Sequence, residues 1–227
     1  TPTIDLRGTL VHIMAVPGLI ALILFTTFNN FLGGVFAGLL DAYGLSLVSV
    51  QAWGVLWMIL SSGIIISGLA VARWGLGRNP LRVLFAANII GWVISSLFTI
   101  RPSVMLLAVG MLLYMSIVPV IEAAEQTIIQ KVVPQKRQGR VFGFAQSVEL
   151  AATPLTTFAI GPVAELVFIP FMTTGAGAER IGSWFGVGPD RGIALVFTLT
   201  GIIGFVITLV AMRSKHYQLL SQRYLEE

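Results

Sequence analysis

Glu149 stands nine residues beyond Arg140 in a segment, 141–164, that holds no other charge. On a helix rising ~1.5 Å per residue it lies ~13 Å from that basic foot, close to mid-membrane. An ionisable side chain in such surroundings must be paired, protonated or in contact with water, so function is the default reading and a carboxyl hydrogen-bonded to a neighbouring helix is the structural alternative. As a positioned acid it can carry a proton. Gln146 and Thr153 share its helical face. Glu122 and Glu125, one turn apart on one face, suit either an inner gate bonded to loop arginines or a proton entry. Asn29 and Asn30 either line a polar cavity or hold helix to helix, and Asn88, Ser95 and Ser96 read as interhelical glue.

Hydrolytic and redox chemistry finds little support, so a non-enzyme is expected. His12 and His216 fall at segment ends and no Gly-x-Ser-x-Gly element exists. Asp5, Asp41 and Asp190 lie at or beyond the apolar boundaries, which does not suit an intramembrane aspartyl pair. With no cysteine there is no thiolate metal site or disulfide, and no clustered His or carboxylate ligands stand in for one. Gly75-Leu-Gly77 lacks the third glycine and the strand–helix setting of a dinucleotide loop. No cofactor is expected.

These residues are positioned by six apolar runs, 8–40, 42–72, 83–100, 102–121, 141–164 and 192–212. A membrane-crossing helix needs about 20 apolar residues, which each run reaches or nearly reaches. The expected architecture is all-α and polytopic, with helices at about 9–36, 48–72, 81–99, 103–131, 140–167 and 191–212 and a tail at 213–227. Pro17 is expected to kink the first helix, Asp41, Tyr43 and Gly44 to form a turn, and Ser46 or Ser49 to cap the second helix. Residues 169–191, rich in glycine and aromatics, read as an interfacial segment with one amphipathic turn.

Basic residues alternate between loops. Arg7, Arg73, Arg78, Arg82, Lys131, Lys136, Arg137, Arg140, Arg213, Lys215 and Arg223 fall on one side, and Arg101, Arg180 and Arg191 on the other. Positively charged loops resist translocation, so both ends are expected in the cytoplasm. The net charge of +4 then reports topology and no nucleic-acid partner.

The loop between the second and third runs carries Gly68, Ala72, Arg73, Gly75, Gly77, Arg78 and Arg82. It resembles the loop signature of the major facilitator superfamily, a glycine, three residues, Asp-Arg, one residue, Gly-Arg, with Ala72 where the aspartate usually stands. That degeneration is commoner in the second copy of the motif. Residues 128–143, with Pro134, Arg137, Gly139, Arg140 and Gly143, followed by Gln146, Glu149 and Gly161-Pro162, are similar to bacterial macrolide- and enterobactin-type drug-efflux members. The spacing of Gly139 and Gly143 also offers a small-xxx-small face for close helix contact.

The resemblance implies the carboxyl-terminal six-helix half of a proton-coupled exporter in a bacterial cytoplasmic (inner) membrane. Its partners would be a hydrophobic or amphipathic small molecule, protons, the lipid bilayer and an amino-terminal half. The start at Thr1 reads as a fragment of a longer protein. The alternative is a self-contained six-helix membrane protein, a channel-like oligomer or a non-transporting scaffold.

Overall fold

The computed structural model describes residues 6–226. Residues 1–5 and 227, and the side chains of Arg7, His12, Arg223 and Glu226 among others, lie outside the described residues, so Asp5 and the charges of Arg7, Arg223, Glu226 and Glu227 are not placed. The described chain is all-α: α1 (Leu6–Ala15), α2 (Leu19–Leu47), α3 (Val50–Trp74), α4 (Pro80–Leu97), α5 (Val104–Val132), α6 (Gln135–Val163), α7 (Ile169–Thr173), α8 (Ala176–Phe185), α9 (Pro189–Met212) and α10 (Lys215–Glu226). A single π turn, Ala164–Phe168, joins α6 to α7. Among the described residues six stretches are long and apolar enough to cross a membrane: α2, α3, α4, α5, the run Gln135–Thr173, and α9. The chain is a polytopic membrane protein.

Two apolar clusters show that the spans alternate in direction. One joins the end of α2 (Leu39, Tyr43) with the start of α3 (Trp53), the end of α4 (Trp92, Phe98), the start of α5 (Leu107) and the start of α9 (Phe197). The other joins the start of α2 (Leu22, Phe25) with the start of α4 (Leu84), the end of α5 (Ile128), the start of α6 (Val141) and Leu220 of α10. Arg73, Arg78, Arg82, Lys131, Lys136, Arg137, Arg140, Arg213 and Lys215 all stand at or beside helix ends of this second cluster. It is the Lys/Arg-rich end of the bundle. Side chains such as Ile65, Ile66 and Leu69 of α3 point outward, 64–66 % exposed, as a lipid-facing helix requires.

Close approach of α2 to α6 depends on Gly34 and Gly38. A Cβ on Gly34 would sit 2.6 Å from the Thr153 carbonyl oxygen, and one on Gly38 would sit 2.7 Å from Ile160. Thr153 and Thr157 use the proximity to donate to the backbone oxygens of Asn30 (3.2 Å) and Gly34 (3.1 Å). Small residues that admit a neighbouring backbone, and hydroxyls that bond across, are the means by which helices associate without a hydrophobic driving force.

The first span departs from the sequence expectation at both ends. Instead of one kinked helix over 9–36, the chain turns at Pro17 and Gly18, and Gly18 takes φ +83 against the His216 carbonyl. α2 then runs through Asp41, Tyr43 and Gly44, residues whose types predict a turn. Burying Tyr43 completely and laying Gly44 against the Trp53 indole overrides the weak helix preference of those residues. α6 also begins at Gln135 and not at about 140, so Lys136 and Arg137 lie in its first turn. Ser49 caps α3 by accepting from the Ala52 N–H, as one of the two expected choices. In 169–191 the amphipathic segment is a ten-residue helix, α8.

Candidate functional site

Three cavities lie in a row along one face of the bundle. The first, about 270 Å³, lies among Phe36, Asp41, Trp57, Ser95 and Tyr114. The second, about 300 Å³, lies among Asn29, Asn30, Trp92, Tyr114 and Glu125. The third, about 270 Å³, lies among Asn30, Glu122, Glu125, Gln146 and Glu149. Gly33 and Tyr114 line both the first and the second, and Asn30, Glu122 and Glu125 line both the second and the third. Together they form one groove, from the Asp41 end down toward the Lys/Arg-rich end.

α2 supplies the groove's spine. Asn29 Nδ2 donates to the Phe25 carbonyl at 2.7 Å, which turns Oδ1 outward to accept from Trp92 Nε1 at 2.7 Å. Asn29 is therefore a cavity wall and an interhelical bond at once. Asn30 Nδ2 donates to the Thr26 carbonyl at 3.0 Å. Bonding an amide back to its own helix satisfies the donor while leaving the oxygen to the groove.

The acids meet deeper down. Glu149 is only 8 % exposed, and its Oε1 lies 2.8 Å from Thr26 Oγ1 on α2. Glu125 of α5 comes to the same region: it lines the second cavity with Thr26 and the third with Glu149, and Glu122 lines both. Glu125 Oε1 is buried and has no hydrogen-bond partner among the described residues. Three helices thus bring a hydroxyl and two carboxyls to one region inside the span. Gln146, on the exposed side of α6, lines the same cavity.

The loop-motif residues lie elsewhere. Gly75 and Gly77 take φ +69 and +71, the left-handed turn that glycine permits, and Asn79 caps α4 by accepting from the Arg82 N–H at 3.1 Å. Arg73, Arg78, Arg82 and Arg140 are exposed at the Lys/Arg-rich end. Gly68, Gly139 and Gly143 have nothing within 4 Å of an added Cβ, so the close helix contact expected of Gly139 and Gly143 is not made among the described residues. Close glycine contacts form at other positions, among them Gly34 and Gly38 against α6, Gly63 against Ser116 and Gly201 against Ser96.

Sequence reasoning passes over two features of the opposite end. Asp41 Oδ1 accepts from both the Trp53 (2.8 Å) and the Trp57 (3.3 Å) indole N–H. Their spacing, twelve and sixteen residues on, is the only sequence signal. Arg191, 2 % exposed, donates to Phe185 O (2.7 Å), Thr99 O (2.9 Å), Ile100 O (3.0 Å) and the Tyr43 hydroxyl (3.3 Å). Those carbonyls close the C-terminal ends of α4 and α8, where helix dipoles favour a cation. In sequence, an arginine beside Gly188, Pro189 and Asp190 reads as an ordinary loop charge.

No protein-family model matches the chain, and neither a curated protein nor a solved structure matches it.

Proposed function

We propose that this bundle is one six-helix half of a secondary transporter, moving hydrophobic or amphipathic small molecules by alternating access with proton coupling. The observation that carries the reading is the meeting of Glu149, Glu125 and Thr26 inside the span, at the deep end of a groove that runs along one face. A proton entering or leaving there changes the charge of the groove by a full unit. The groove lies open along its length, as one wall of a cavity completed by a second half that rocks against it. The Lys/Arg-rich end is assigned to the cytoplasm by the bias of basic loops, and export rather than import follows from the resemblance to drug-efflux members. No catalytic role is assigned.

Thr26 gives the proton site a mechanism. Its single hydroxyl hydrogen has three acceptors in range, Glu149 Oε1 at 2.8 Å and the Leu22 and Ile23 carbonyls at 3.1 Å each. With Glu149 ionised, Thr26 donates across to α6. With Glu149 protonated, the acid donates to Thr26 and the threonine turns its hydrogen back into α2. Proton binding thereby reverses one of the hydrogen bonds that tie α2 to α6.

The test is pH-gradient-driven efflux of a fluorescent amphipathic dye from vesicles holding the bundle with its second half, comparing Glu149 with Glu149→Gln at matched amounts. Loss of efflux with dye binding intact supports the coupling role. Unchanged efflux returns Glu149 to a structural one.

The open stripe of Gly139 and Gly143 favours a second reading, a self-contained protein whose copies pair along α6. The mass of the detergent-solubilised particle, with and without Gly143→Leu, separates the two.

A further inference from the structure

The cavity at the Asp41 end differs in chemistry from the rest of the groove. Its walls are the rings of Phe36, Trp57, Phe98 and Tyr114 with the thioethers of Met111 and Met115, and Asp41 stands at its edge. Phe36 and Tyr114 lie nearly parallel, 6.1 Å between centroids. Asp41 is exposed, and both indoles converge on Oδ1, leaving Oδ2 without a hydrogen bond from the described residues. Ser95, 1 % exposed, lines the same cavity, and its Oγ has no hydrogen-bond partner among the described residues. None of the residues lining this cavity or the two that continue it is a lysine or an arginine. The ionisable side chains along the groove are Asp41, Glu122, Glu125 and Glu149, all acids, and Tyr114.

We infer that the Asp41 end of the groove is a recognition site for lipophilic organic cations, with Asp41 as counter-charge, Tyr114, Trp57 and Phe36 as aromatic walls, and Ser95 as a polar anchor. Aromatic faces attract a cation through their quadrupoles, more strongly where water is excluded. A delocalised cation with apolar substituents satisfies rings and carboxylate together. An anion of the same size meets the same rings but faces only negative charge, so the groove discriminates by repulsion as well as attraction. The inference rests on the groove being the substrate cavity of the proposed transporter. It narrows the amphipathic class by the sign of its charge.

Tetraphenylphosphonium and tetraphenylborate, nearly equal in shape and opposite in charge, make the test. Equilibrium binding of each is measured to the protein in lipid nanodiscs, wild type against Asp41→Asn, so that partition into the bilayer cancels in the difference. The substituted amide keeps an oxygen to accept from both indoles, and an unchanged thermal melt verifies the fold. The expected result is cation binding that weakens about tenfold in D41N, with anion binding no greater in wild type than in the variant. Tyr114→Leu, which removes an aromatic wall without touching Asp41, is expected to weaken the cation about threefold to tenfold. Equal binding of both ions, or phosphonium binding unaffected by D41N and by Tyr114→Leu, overturns the inference. Gradient-driven transport of amphiphiles without charge preference sinks this inference and leaves the transporter reading standing. Asp41-dependent cation binding with no driven transport of any compound does the reverse.

Discussion

Thr26 on α2 and Glu149 on α6 are joined by a 2.8 Å contact between residues 123 positions apart, with Glu125 of α5 beside them. If the threonine hydroxyl is what responds to the proton, its loss differs from the loss of the acid. Thr26→Val keeps shape and removes the hydroxyl, and it is expected to reduce gradient-driven efflux at least about tenfold, since a hydrogen bond to a charged group contributes about 1.5–3 kcal/mol. Thr26→Ser is expected to retain most activity. Efflux by Thr26→Val equal to that of wild type would remove the hydroxyl from the mechanism.

Glycines that look alike in sequence separate in the structure. Gly34→Ala places a Cβ 2.6 Å from the Thr153 carbonyl oxygen, and backbone cannot give as a side chain can. It is expected to destabilise the α2–α6 pair by about 1–3 kcal/mol, read as a lower melting temperature of the purified chain. Gly143→Ala meets nothing within 4 Å and is expected to be neutral, or stabilising by about 0.5–1 kcal/mol through helix propensity. A larger loss in Gly143→Ala than in Gly34→Ala would mean that the helices pack on the other stripe.

Hydropathy makes the six spans legible, because crossing a bilayer demands long apolar runs whatever the packing. Glu149 is legible for the same reason, as one charge in an uncharged run. Its partners are not, since nothing local marks Thr26 or Glu125 as neighbours of a residue on α6, and only the packing of three helices brings them together. The end of α2 reads as a turn because Asp41 and Gly44 are turn formers by type, whereas Trp53 supplies the contacts that keep them helical. Pro17 alone would bend one helix, but with Gly18 beside it at φ +83 the chain turns and two helices result.

Asn29 and Trp92 offer a separate test of how far cavity and scaffold overlap. Trp92→Phe removes the indole N–H that reaches Asn29 Oδ1 at 2.7 Å together with part of a buried ring system, while keeping an aromatic ring against Gly204. The lost hydrogen bond is expected to cost about 0.5–1.5 kcal/mol, with the α2–α4 contact loosened, and the smaller ring adds a packing loss to it. Asn29→Leu loses the same bond and also one polar wall of the second cavity, so it is expected to lose no more stability than Trp92→Phe but to bind polar-headed amphiphiles more weakly. Identical binding in the two variants would reduce Asn29 to an interhelical tie.

Arg191 is the strongest polar tie at the Asp41 end, and its removal is expected to act locally. Arg191→Met leaves three backbone carbonyls, of Phe185, Thr99 and Ile100, without their donor in a buried setting, each such orphan costing about 1–3 kcal/mol. The melting temperature should fall, and deuterium exchange should quicken in α8 and in the connection after α4. The start of α2 and the end of α5, in the other cluster, should exchange as before, because regions with separate cores open separately. Arg191→Lys keeps the charge but not the planar fork that spans several acceptors, so it should fall between wild type and Arg191→Met. If Arg191→Lys retains full protection, the charge alone holds the helix ends, and the geometry of the guanidinium is incidental. If Arg191→Met leaves α8 protected, the packing of Phe185 and the apolar cluster around Phe197 hold this end together without the arginine.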